Sequence, residues 1–169
     1  MPPFVSTVEE FAAAFRALYR ERQPSFFSLT AALPAVGRTD TPVAATPRLT
    51  VVVKCYAGTG ENALHAHTTE DHVFIVLQGR AHFFGPNEEQ RTVEALGGVM
   101  MPVGTFYRFC AAEGEPLVML RVGCAAAPQG SMYDRIGPDG RAMAGDSKEN
   151  NPLATVLSGE VFGPSNGED

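Results

Sequence analysis

The stretch His65-Ala66-His67-Thr68-Thr69-Glu70-Asp71-His72-Val73-Phe74-Ile75-Val76-Leu77-Gln78-Gly79 carries three of the four histidines in the chain. His65 and His67 are separated by one residue, and residues i and i+2 of a strand point to the same face. Two imidazoles so placed converge on one point. The pair alone fits an exposed polar face equally well. His72 shifts the reading, because it opens the apolar run 73–77, which is too apolar for a solvated strand. A histidine at the head of that run is partly buried and needs partners. Three neutral imidazoles around one ion leave positions open for water, oxygen or a substrate. The stretch therefore predicts a metal site of His65, His67 and His72 at the head of a β-strand.

Working outward, Leu49-Thr-Val-Val-Val-Lys-Cys-Tyr56 is rich in β-branched residues and reads as a strand, with a turn at 57–60. Strands are expected at 63–67, 72–78, 80–84, 91–96, 99–102, 106–110 and 117–124. Turns fall at Gly85-Pro86-Asn87, Gly97-Gly98, Val103-Gly104 and 112–116. Short strands at this close spacing belong to an all-β sandwich or barrel. The 17 Gly and 13 Pro suit such a turn-rich chain.

Two additions flank the strands. Residues 5–22 predict an amphipathic helix. Ser6 or Thr7 supplies the N-cap, with Glu9 or Glu10 completing a capping box, and Val8, Phe11, Ala12, Phe15, Leu18 and Tyr19 lie on one face. Pro24 is expected to end it, and it is expected to pack outside the strands or on a partner subunit. Residues 23–48, with Pro24, Pro34, Gly37, Pro42 and Pro47, read as an irregular connection with a short helix or strand at 26–33. Residues 125–169 are rich in Gly, Pro, Asn, Asp and Ser and read as an extended arm that lies over the barrel or a neighbour and frays after Phe162. The expected organisation is 1–48 helix and connection, 49–124 barrel, and 125–169 arm.

The central stretch resembles the first motif of the cupin superfamily. That motif runs Gly, five residues, His-x-His, three or four residues, Glu, six residues, Gly. Here His65-x-His67 is followed by four residues, position 72, six residues and Gly79, with His72 where the family usually has Glu. The opening glycine is off by one from either Gly58 or Gly60. The second motif, Gly, five residues, Pro-x-Gly, two residues, His, three residues, Asn, is matched by Pro102-Val-Gly104-Thr-Phe-Tyr107. Tyr107 stands in the place of the fourth histidine and Ala111 in that of the Asn. The resemblance covers roughly residues 49–124. It implies an all-β fold, a single cupin jelly-roll barrel with ligands pointing into its mouth, here carrying an N-terminal helix and an extended C-terminal arm.

Without the glutamate, a divalent ion on His65, His67 and His72 keeps more positive charge and favours anionic or chelating substrates. The resemblance implies a mononuclear Fe(II) dioxygenase-type oxidoreductase acting on a small carbonyl or phenolic metabolite. Zn, Mn or Ni would instead imply a lyase or isomerase through Lewis-acid chemistry. The departures from the motifs equally fit a non-catalytic small-molecule-binding cupin. Tyr107 has three readings: a phenolate ligand, an unligated acid/base at the substrate, or a packed aromatic. A homodimer is expected, since a lone barrel does not require the helix and the arm.

The remaining features narrow the class. A net charge of −6 and a pI near 5.2, with no Lys/Arg run, argue against nucleic acid. No run approaches the ~20 apolar residues of a membrane span, and no signal-peptide pattern is visible at residues 1–10. Cys55, Cys110 and Cys124, odd in number and far apart, fit a reducing cytoplasm and read as small buried hydrophobes. His82 is expected to face away from the pocket. Glu70 and Asp71 read as solvated turn residues, with a hydrogen bond to an imidazole as the alternative. Arg108 and Arg121 read as outer-face salt bridges or subunit contacts, with a substrate carboxylate as the alternative. No phosphate-binding Gly-rich loop or nucleophile elbow is present.

Overall fold

Buried and more exposed residues alternate along the strands that close the core, such as Glu70–Gln78, Arg80–Phe84 and Arg108–Ala111, and a five-stranded and a three-stranded sheet face each other, with two further two-stranded sheets beside them. The computed structural model describes residues 1–58, 62–125 and 132–164. Among them are one helix, α1 (Val8–Leu18), and twelve strands: β1 (Ala31–Val36), β2 (Arg38–Ala45), β3 (Leu49–Tyr56), β4 (Ala66–His67), β5 (Glu70–Gln78), β6 (Arg80–Phe84), β7 (Gln90–Glu94), β8 (Gly98–Met101), β9 (Arg108–Ala111), β10 (Leu117–Ala125), β11 (Arg135–Ile136) and β12 (Val156–Phe162). The expected turn at 57–60 lies partly, and the end of the chain after 164 wholly, outside the described residues.

Five strands form one sheet in the order β2-β3-β10-β5-β8, and three form the other in the order β7-β6-β9. Their inner faces meet in an apolar core of Tyr56, Phe74, Val76, Phe83, Phe109, Leu117 and Met119. Phe74, Phe83 and Phe109 form a triangle of rings with centroids 5.4–5.7 Å apart, within the range favoured by aromatic pairs. Parity decides what enters. Met101 is buried and Met100 is exposed, as the alternation of a strand requires.

The connection expected to be irregular holds two strands instead. β2 lies antiparallel to β3 at the edge of the large sheet. Its Pro42 sits at a register shift, and Pro34 of β1 sits at another. Edges and bulges are where a strand tolerates proline. The arm also contributes structure, since β12 pairs with β1 and β11 pairs with β4.

The helix begins where expected, with Thr7 as N-cap and a capping box closed by Glu10. It ends at Leu18, before Pro24, where Tyr19 turns extended. It does not simply pack outside the barrel: its Phe11 meets Val52 of β3 and Met132 of the C-terminal segment, and Ser6, Thr7, Val8 and Phe11 help to wall the interior cavity. No helix among the described residues is long and apolar enough to cross a membrane.

Two of the cysteines depart from the small buried hydrophobe. Cys55 is buried, with its thiol pushed up to about 12 by burial. Cys110 is partly covered and Cys124 is exposed, being on the outward parity of β10.

Candidate active site

The site lies at the polar end of the barrel, and backbone pairing places its members. His65 and Tyr107 face each other across an antiparallel bridge, exchanging N–H···O bonds of 3.1 and 3.0 Å. His67 lies in β4 and His72 in β5. His65, His67, His72 and Tyr107 are all at most 3% exposed. The ring centroids of His65 and His67 are 5.3 Å apart, those of His67 and His72 4.6 Å, and those of His65 and Tyr107 4.7 Å. The four residues singled out in the sequence thus meet in one buried cluster.

Hydrogen bonds set the protons. The Nδ1 of His65 lies 2.8 Å from the Ala63 carbonyl, which only accepts. Nδ1 therefore carries the hydrogen and Nε2 keeps its lone pair, on a residue that lines the cavity. His72 Nε2 lies 2.9 Å from the Tyr107 hydroxyl. On the other side of that ring, the Glu70 carboxylate is 3.8 Å from Nδ1. A carboxylate there favours the Nδ1–H tautomer, so the Tyr107 O–H donates to Nε2.

Burial, aided by the charges of Arg135 and Arg121, pushes His65 down to about 3. Burial and Arg121 likewise push His67 and His72 well below the ordinary imidazole value. All three are neutral at physiological pH. Burial raises Tyr107 to about 12, against the opposing pull of Arg121 and Arg135, so its phenol stays protonated.

Two charged residues behave differently from the expectation. Glu70 is not a solvated turn residue. It is 2% exposed and forms a buried ion pair with Arg121, also 2% exposed. Arg121 shares the inward parity of Leu117 and Met119 on β10, which turns it into the barrel rather than to the outer face. Gly123 makes the pair feasible, since a Cβ there would lie 2.6 Å from Glu70 Oε2 and 2.7 Å from Arg121 Nη1. Asp71 is exposed and accepts from Val103 N–H at 2.7 Å. Arg108 does pair at the surface, with Glu88 at 2.5 Å, and stacks over Phe84. His82, outside the pocket, bonds Thr92 Oγ1 at 2.9 Å.

The cavity beside the cluster has a free volume of about 40 Å³, room for about three waters. Strand residues Lys54, Tyr56, Phe74, Phe109 and Arg121 line it together with His65, His67 and Tyr107. Arg38, Asp40 and Asn62 join them, and the helix end with Met132, Tyr133, Arg135, Gly145 and Asp146 completes the wall. The sequence reading laid this arm over the barrel or a neighbour but singled out none of its residues for the site. The signal was the short paired run Arg135–Ile136, which sets Arg135 directly across from His67.

For a divalent ion the donors are right in kind but not in arrangement. The imidazoles are neutral, and His67 Nδ1 and His72 Nδ1 are buried with no hydrogen-bond partner among the described residues. However, His72 Nε2 is engaged by Tyr107. Among the described residues, no three or more His, Cys, Asp or Glu side chains are gathered as a ligand set. As arranged, the residues do not fit the ion.

No known family model matches the sequence, and no curated protein matches it. Solved structures do resemble the fold. KdgF from Halomonas sp. is 23% identical with a TM-score of 0.52, over 60% of this chain and 94% of that one. A conserved Klebsiella pneumoniae protein with a double-stranded β-helix domain is 16% identical with a TM-score of 0.50, over 69% and 84%. A Streptomyces PAC13 variant, solved with uridine, is 16% identical with a TM-score of 0.52, over 79% and 100%. The two facing sheets, closed around an inner face and open at one polar end, are the double-stranded β-helix of the cupin fold.

Proposed function

We propose that the chain is an enzyme that moves a proton on a small carbonyl or phenolic metabolite held in the barrel mouth. The hydrogen bond between Tyr107 and His72 at 2.9 Å carries this reading. A tyrosine that lines a cavity, stays protonated and is held by a neutral imidazole is a hydrogen-bond and proton donor for a substrate oxygen. As negative charge develops on that oxygen, the Tyr107 hydroxyl turns from His72 to the substrate. His65 Nε2, with its lone pair on the same cavity, is the acceptor for the proton that leaves carbon. The reaction class is isomerisation or elimination next to a carbonyl. The fold likeness supports a ligand site at the barrel mouth and says nothing about the substrate.

The test is deuterium wash-in. Small 2-oxo acids, hydroxyketones and phenols incubated with the protein in D₂O, followed by NMR, are expected to exchange the hydrogen next to the carbonyl or hydroxyl-bearing carbon. His65→Gln is expected to abolish the exchange. Absence of exchange across the panel would count against the reading.

The buried nitrogens of His67 and His72 that lack partners favour a second reading. In it His65, His67 and His72 would hold a divalent iron only if His72 released Tyr107, and the ion would supply dioxygenase chemistry to the same substrate class. Metal analysis of anaerobically prepared protein tests it. Stoichiometric iron with substrate-dependent oxygen uptake supports the second reading, and its absence under iron-replete expression opposes it.

A further inference from the structure

The cavity holds more cationic groups than the protein neutralises. Arg38, Lys54, Arg121 and Arg135 all line it. Asp40 serves both Lys54 and Arg38, the latter at 3.6 Å. Glu70 serves Arg121 through one terminal nitrogen only. Asp146, at the mouth, accepts from Val8 N–H at 3.4 Å. Arg38 is further tied to the carbonyls of Asn150 and Gly145, at 2.9 and 3.0 Å, and so anchors the C-terminal segment. Two donors remain. Arg121 Nη1 and Arg135 Nε are both buried and have no hydrogen-bond partner among the described residues. Among the described residues Arg135 meets no carboxylate, and its Nη2 makes a 3.4 Å bond to the Met132 carbonyl.

An unmatched guanidinium N–H in a protein interior is costly, because its hydration is lost and nothing replaces it. Here two of them belong to residues that wall one cavity whose imidazoles are neutral. Guanidinium donors match the oxygens of a carboxylate or a phosphate. We infer that Arg121 and Arg135 form an oxyanion-binding subsite, and that the substrate carries a carboxylate or phosphate beside its reacting carbonyl. The small free volume restricts the buried part of the ligand to such a headgroup. This rests on the reading of the cavity as a substrate site, and it narrows that substrate to a small anion.

Arg135 is placed for this by backbone pairing with His67, which brings its guanidinium to within 2.9 Å of the position a Gly145 Cβ would take. The subsite is therefore assembled from the barrel and the C-terminal segment together. A neutral substrate of the same shape would leave the two donors unmatched.

Titration calorimetry on the full chain tests the inference, with pyruvate, inorganic phosphate and the neutral pyruvamide as probes. Wild type is expected to bind pyruvate or phosphate and not pyruvamide; which anion binds identifies the headgroup. Arg135→Gln is expected to weaken that binding about tenfold or more, the size of one charge-assisted hydrogen bond. Arg121→Gln strips Glu70 of its partner and is informative only if its circular dichroism matches wild type, so Arg135→Gln is the deciding variant. Anion binding by wild type, lost in Arg135→Gln, without deuterium exchange on any 2-oxo acid would uphold this inference while the proton-transfer proposal failed, so the two are tested apart. Equal binding of pyruvamide, absence of anion binding to wild type, or unchanged binding in Arg135→Gln would each overturn it.

Discussion

β5 and β10 run side by side through the barrel, and the two ends of their shared inner face differ in kind. At one end the inward residues are Val76, Phe74, Leu117 and Met119. At the other, on the same parity, they are His72, Glu70, Arg121 and Gly123. Strand geometry is the same throughout, so the change lies in the side chains alone. The apolar end gains from burial, at roughly 1.5–3 kcal/mol per large side chain. The charged end does not: burying an ion pair costs desolvation that its attraction only partly returns. A barrel selected for stability alone would continue the apolar pattern. The polar end is the part that the proposed function uses.

The largest expected effect falls at the apolar end. Phe109→Ala removes one corner of the ring triangle and is expected to lower stability by about 3–5 kcal/mol, read by chemical denaturation. A loss below ~1 kcal/mol would break the comparison from that side.

At the charged end, single and double changes should disagree. Glu70→Gln alone leaves Arg121 buried and uncompensated, with an expected loss of about 3–5 kcal/mol. Replacing both, Glu70→Leu with Arg121→Met, is expected to restore wild-type stability or exceed it by about 1–4 kcal/mol, while abolishing anion binding. If the double variant is the less stable, the pair is structural and the contrast between the two ends is lost.

A smaller effect concerns pH. Burial raises the Asp40 carboxyl, but Lys54 and Arg38 outweigh that and hold it below the usual carboxylate range. Its folded value therefore lies under its unfolded value. The stability this contributes is complete above an unfolded value of about 4 and is lost as pH falls through the folded one. In Asp40→Asn, the midpoint of thermal unfolding is expected to fall less steeply from pH 5 to pH 3 (approximate limits of that window) than in wild type. An unchanged acid limb would show that Asp40 does not govern it.

Much of this was legible in the sequence, for local reasons. β-Branched and apolar runs between turn residues marked the barrel strands, and the Thr7–Glu10 box marked the start of the helix. The spacing of His65, His67 and His72, with Tyr107 set across the barrel, located the cluster. What was not legible depends on long-range register. β1 and β2 were hidden because Pro34 and Pro42 argue against strands until the edge and the bulges are seen. Glu70 and Arg121 read as exposed because charge suggests solvent, whereas their parity with Phe74 and Met119 turns them inward. Arg135 reaches the site only through the pairing of β11 with β4, residues far apart in the chain.

The claim that the polar end is a proton-transfer site rests on the Tyr107 hydroxyl. The most direct test compares wild type with Tyr107→Phe for deuterium wash-in on the 2-oxo acid that wild type exchanges fastest, alongside the unfolding midpoint. Removing the hydroxyl while keeping the ring is expected to slow exchange by about 10²–10⁴-fold and to change stability by no more than about 1.5 kcal/mol. Exchange at the wild-type rate in a folded Tyr107→Phe protein would contradict the account.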